Sequence, residues 1–136
     1  MISDRTEFDA FVSAHRWAVL TTLRRSGSPV SSVVAYARDG DELVVSTPGA
    51  TFKRRSTEAN GAVNLCVISN QEPFNFVAIE GHATVEQRDL ERTTMLVFDN
   101  ITGTGFDVPE DLNGWLHSQD RVILRIRPLR VYGVLR

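Results

Sequence analysis

The sequence is poor in sulfur and in lysine. Cys66 is the only cysteine and Lys53 the only lysine in 136 residues. One cysteine excludes an intrachain disulfide and any zinc site built on cysteine pairs. It lies in the apolar run VNLCVI, where it is expected to serve as a small buried hydrophobe. Neither sign of charge dominates: 15 basic and 17 acidic residues leave a net charge of −2. That balance excludes the basic footprint of a nucleic-acid binder. No apolar stretch approaches the ~20 residues of a membrane-spanning helix. The start, MISDRTEFDAF, has no signal-peptide apolar core, so a cytoplasmic location is expected. The three histidines, His15, His82 and His117, show no spacing that suits a metal site or a nucleophile–base pair. No catalytic residue and no metal ligand is therefore assigned. Repeats, low-complexity tracts and linkers are missing too, which leaves a single domain over residues 1–136.

What the chain does contain is strand after strand. Residues 4–14 read as a short amphipathic helix, with Asp4 and Glu7 at capping-box spacing and Phe8, Phe11 and Val12 on one face. Trp17–Arg24 is a strand. Ser26-Gly27-Ser28-Pro29 turns the chain, and Val30–Ala37 returns. Asp39-Gly40 is a tight hairpin turn, followed by a third strand at Leu43–Ser46, so the three strands read as an antiparallel meander. A short helix over Thr51–Asn60 is closed by Gly61, where a left-handed cap is expected. Ala62–Ser69 and Phe74–Gln87 are strands, the second carrying Gly81 as the mark of a bulge or bend. A helical insertion occupies about 89–118, its second helix starting at Asp107 with Pro109 in the first turn. Arg121–Arg127 alternates, with its arginines on a face expected to be solvated. Pro128 interrupts it, and Arg130–Leu135 is the last strand. Strands outnumber helices and crossovers are few, so a small antiparallel barrel with peripheral helices fits.

The stretch LVVSTPGATFKRR, residues 43–55, stands out. A strand ends in hydroxyls, a Pro-Gly turn follows, and Lys53, Arg54 and Arg55 open a helix. Free amides at a helix start, together with cations and hydroxyls, make a phosphate cradle. The alternative is that three cations on a surface helix only keep it solvated.

Taken together, LTTLRRSGSPVSSVVAYARDGDELVVST, KRR, FVAIEGHATV and QDRVILRIRPLRVYGV come in an order that resembles one family. It is the flavin- and deazaflavin-binding split β-barrel family, the pyridoxamine-5′-phosphate-oxidase-like fold, with particular similarity to its actinobacterial F420-dependent branch. The resemblance runs from about Trp17 to the C-terminus. It implies an α+β, mainly β, FMN-binding-like antiparallel split barrel. It also implies a homodimer with the cofactor in a groove between two barrels. The phosphate is then held by Ser46 and Thr47 at the strand end, by Thr51 in the loop, and by Lys53 and Arg55. Arg54 points elsewhere. Ser32 passes along the ring, and Gln71 and Phe74 come from the neighbouring subunit to cover it. The chain departs from the family at Ser56, where Asn is frequent, at Phe74, where Trp is, and at Glu58-Ala59-Asn60-Gly61, in place of an Arg-Asp-Pro-Arg segment.

The implied activity is hydride transfer between coenzyme F420 and a small unsaturated or carbonyl-containing molecule. FMN in the same cradle, a non-catalytic flavin carrier and pyridoxamine phosphate oxidation are its rivals. The longer F420 tail calls for extra cations, for which Arg24, Arg25 and Arg38 are candidates. A dimer is expected on physical grounds also: runs such as VVAYA and VNLCVI are apolar on both faces, and a barrel interior buries only one.

Overall fold

Alternation decides the first strand. In the computed structural model, which describes residues 1–136, β1 (Trp17–Leu23) turns Ala18, Leu20 and Thr22 inward. It pairs antiparallel with β2 (Pro29–Ala35) across a turn in which Gly27 takes a φ of 91°. The expected continuous strand to Ala37 breaks at Tyr36, and Ala37–Asp39 forms a separate strand, β3. β3 pairs with β4 (Glu42–Thr47) across Gly40, whose φ of 64° suits the tight turn. The meander expectation is therefore corrected. The strand order is β2-β1-β5-β6-β7-β4-β3, with β2 and β3 at opposite edges of one seven-stranded sheet. Only Tyr36 separates them in the chain, so the sheet must curl until its edges face each other. Tyr36 is fully buried there. Its hydroxyl donates to the Val12 carbonyl (2.6 Å), and Asn100 Nδ2 donates to the carbonyls of Tyr36 (2.8 Å) and His15 (3.1 Å).

β5 (Ala62–Ile68), β6 (Phe76–Glu86) and β7 (Val122–Val134) form the back of the barrel. Pro128 does not interrupt the final strand. Its missing N–H is tolerated at a bulge, where Gly81 faces Pro128, Glu80 faces Arg130, and Leu129 is the extra residue. Gly81 is required on the other side. A Cβ there would stand 2.7 Å from both the Arg127 carbonyl oxygen and Ile126 Cγ2.

Four helices, α1 (Thr6–Ala14), α2 (Phe52–Ala59), α3 (Leu90–Asn100) and α4 (Leu112–Ser118), flank the sheet. Their ends correct three expectations. α1 has Arg5 as N-cap without a side-chain cap bond, because Glu7 binds the Arg5 guanidinium instead of reaching back. α2 ends on extended Asn60, and Gly61 is needed for close approach: a Cβ there would meet His82 at 2.6 Å. α4 starts at Leu112, capped by Asp111, which accepts the Gly114 N–H at 3.0 Å. Pro109 disfavours helical geometry in the residue before it and so lies outside.

The barrel interior holds the main core, including Leu20, Leu43, Leu65, Ile79, Leu124 and Ile126. A smaller cluster of Ala37, Val44, Val97 and Ile123 sits outside the barrel, beneath α3. The remaining outer surface carries an apolar band. Register places Val33, Val19, Cys66, Ala78 and Tyr132 in one row across five strands. Ile68, Phe76 and Val134 align in the next. Cys66 is thus half-buried and outward-facing rather than in the core, and burial raises its thiol pKa.

Candidate functional site

The hydroxyl-rich end of β4 splits between two faces. Thr47 points into the barrel end, 1% exposed, with its hydroxyl 3.0 Å from that of Thr51. Thr51 is the N-cap of α2: its hydroxyl accepts the Arg54 N–H (3.3 Å) and donates to the Pro48 carbonyl (3.1 Å). The amides of Phe52 and Lys53 in the first turn make no hydrogen bond. These unmet donors, together with the helix dipole, are suited to an anion.

The three successive cations behave differently. Arg54 is engaged, donating to Glu58 (2.9 Å) and Asp120 (3.0 Å). Lys53 and Arg55 form no ion pair. Lys53 is half-buried, whereas Arg55 is exposed and lies over the Phe52 ring at 4.8 Å. Arg24 approaches that ring at 6.0 Å, again with no acid partner. Phe52, itself 59% exposed, therefore sits between two unneutralised guanidinium groups at the start of α2. Arg38, by contrast, is tied to Asp9 (3.2 Å) and Ser13 (2.7 Å) beside α1, away from this cluster.

The other expected site residues lie elsewhere in the single chain. Ser32 is mid-strand opposite Leu20, on the inward face, so a group outside the barrel meets Ser31 and Val33 instead. Gln71 and Phe74 are exposed in the loop after β5, with Phe74 58% exposed. That loop lies at the far end of β5 from α2, about 20 Å away at strand rise. Ser46 faces outward, beneath α3 and α4.

Ser46 leads to a residue that alternation alone misreads. Arg121 is not on a solvated face. Its guanidinium lies 4.3 Å from the Trp115 ring and donates to Ser46 Oγ (3.1 Å) and Gln119 Oε1 (2.9 Å). Its Nε is buried without a partner, and no carboxylate pairs with it. Burial pulls its pKa below the ordinary arginine value. Arg121, Ser46, Thr94 and Gln119 form the polar part of a mostly apolar cavity of about 330 Å³. Trp17, Phe98, Phe106 and Trp115 supply its aromatic walls. Arg125, four residues on, is also withdrawn from solvent, but it donates to Glu86 (2.8 Å), Glu42 (3.2 Å) and Asp39 (3.0 Å). Arg92 also binds Asp39 (2.8 Å) and holds its carboxyl below the usual carboxylate range. The only sequence signal for Arg121 was its place at a strand start directly after a helix, too weak to mark a site.

A curled antiparallel sheet with an edge switch at Tyr36, and helices inserted between β6 and β7, defines a split barrel. The sequence profile of the pyridoxamine 5′-phosphate oxidase family matches residues 5–135, and the chain belongs to that family of flavin-binding oxidoreductases. Solved structures agree on the fold. The conserved hypothetical protein Rv2991 from Mycobacterium tuberculosis is 22% identical, with a TM-score of 0.78 over 96% of this chain and 84% of its own. A protein named F420 reductase is 23% identical, with a TM-score of 0.73 over 91% and 94%. A FAD-binding protein from Mesorhizobium loti is 16% identical, with a TM-score of 0.71 over 96% and 94%. No functionally curated protein matches. No helix is long and apolar enough to cross a membrane.

Proposed function

We propose that this chain is a coenzyme F420-dependent oxidoreductase that moves a hydride to or from a small unsaturated or carbonyl-containing molecule. One observation carries the choice: the acid-free cations Lys53, Arg55 and Arg24 cluster around the start of α2. A phosphate needs one or two such cations. A polycarboxylate tail extending from it needs more, and Arg24 beside Phe52 lies where such an extension could continue. When bound, the deazaflavin supplies the two-electron hydride chemistry, and the protein supplies position, charge and dryness. Lys53, Arg55 and the free amides of Phe52 and Lys53 hold the phosphate. Thr51 fixes the helix start that aims those amides, and Ser46 and Thr47 end the strand that delivers it.

The reading includes a homodimer with the cofactor between subunits. The apolar band through Val33, Val19, Cys66 and Tyr132 is the surface that a second copy covers. Such a pairing would let the partner's exposed loop approach the cradle, so that Gln71 and Phe74 need not converge with it within one chain.

Fluorescence titration of purified protein with F420 and, separately, FMN tests the choice. F420 is expected to bind more tightly, and Lys53→Ala/Arg55→Ala is expected to weaken it about 30-fold or more through loss of two charge-assisted contacts. Arg24→Ala is expected to weaken F420 but not FMN. Tight FMN binding without F420 saturation would favour the FMN reading. Unchanged affinity for both in the folded double variant would overturn the cradle.

A further inference from the structure

We infer that the cavity beneath α3 and α4 is a binding site for a small monocarboxylate with a flat aromatic or apolar body, and that Arg121 is its anion receptor. Four aromatic side chains around a space of about 330 Å³ suit a planar ligand of one or two rings. Such a wall needs no cation for its own sake. Yet Arg121 is placed in it, stacked on Trp115 and held only by two neutral acceptors, Ser46 and Gln119. Taking a guanidinium out of water without an anion is costly, and proteins ordinarily pair such a group. The strand that follows Arg121 shows the ordinary solution, for Arg125 is met by three carboxylates. At Arg121 the matching anion is left for a ligand to bring. Planar, bidentate recognition of a carboxylate is what a fixed guanidinium does best. A second unmet group stands in the same wall: the Thr94 hydroxyl is buried without a partner. Phe106 is 63% exposed and follows Gly103 and Gly105, both at positive φ, which carry the loop over the cavity's rim.

Binding at this site does not depend on the cofactor reading. If that reading holds, the inference narrows the substrate to an aromatic or conjugated carboxylate, and this second step rests on it. The cavity and the Lys53 cluster use different cations, so the two can fail separately.

Isothermal titration calorimetry of the full chain without added cofactor decides it. The probes are benzoate, 2-naphthoate and indole-3-acetate, each beside its neutral amide. At least one acid is expected to bind saturably at one per chain, about tenfold or more tighter than its amide, as a charge-assisted pair requires. Arg121→Leu is expected to abolish the preference for the acid, while Arg121→Lys keeps part of it. Lys53→Ala/Arg55→Ala is expected to leave it intact. Equal binding of acid and amide, a preference that survives Arg121→Leu in folded protein, or no binding by any probe would overturn the inference. Loss of the preference in the Lys53/Arg55 variant would also overturn it, by moving the anion site to the cradle.

Discussion

Arg121 and Arg125 are four residues apart, just before β7 and within it, and both are largely withdrawn from water. Around Arg125 the chain gathers Asp39, Glu42 and Glu86 from three other strands, with Arg92 joining through Asp39. Around Arg121 it gathers a cavity walled by two tryptophans and two phenylalanines, a serine and a glutamine, and no acid pairs with it. One guanidinium is saturated by its own fold and the other is not. A protein that needed both only for stability would have no reason to treat them so differently. Groups left unsatisfied in a native structure are where function is most economically sought.

The contrast can be broken from the saturated side first. Arg125→Met leaves three carboxylates facing one another without their shared cation. It is expected to lower unfolding free energy by about 2 kcal/mol in urea denaturation, less than the ~3–5 kcal/mol for breaking a fully buried pair because this site is partly exposed. A loss below about 0.5 kcal/mol would show the network to be ornamental. A smaller effect comes from acid. Asp39 is held below its ordinary value of 3.8, first by the Arg92 hydrogen bond. A depressed folded value means that its contribution is complete above about pH 4 and is lost as pH falls through the folded value. Asp39→Asn is therefore expected to cost about 1 kcal/mol at pH 7 and to flatten the acid limb of stability against pH below about 4. An acid limb identical to that of the native chain would remove Asp39 from the account. The smallest effect is expected on the unsaturated side. Arg121→Leu removes a desolvated charge without orphaning another, so its stability is expected within about 0.5 kcal/mol of the native chain, or above it. A loss near that of Arg125→Met would make Arg121 a structural residue.

Local chemistry made much of the fold legible. Gly81 announced the bulge, Asp39-Gly40 the hairpin, and the hydroxyl-then-cation sequence at 46–55 the start of α2, because each of these is set by backbone freedom or capping within a few residues. What stayed hidden depends on distant partners. Nothing beside Tyr36 tells that the chain changes edges there; that follows from the order in which seven strands pair. Asp107 looks like a helix cap until Asp111 is seen bonding Gly114. Arg121 reads as solvated because alternation reports which way a strand residue faces, and the covering comes from α4, whose Trp115 lies over it. The unpaired cations Lys53 and Arg55 at the start of α2 were legible for the same reason as α2 itself, whereas Ser32, Gln71 and Phe74 rested on family likeness and are spread over a single chain.

The extra residue at Leu129 also resets the phase of β7. Up to Ile126 the even-numbered residues enter the barrel; beyond the bulge Val131 and Leu135 do so, and Tyr132 and Val134 turn outward. Pairing every residue in strict alternation, with none left over, would instead send Arg130 and Tyr132 into the interior, turn Val131 outward and withdraw Tyr132 from the apolar band. The composition of the outer face is thus governed by a count and not only by which side chains are present. A gap of one position at 129 in a related sequence would make Pro128 opposite Gly81 and Arg130 opposite Glu80 consecutive regular pairs, and so keep the same side chains on the exterior.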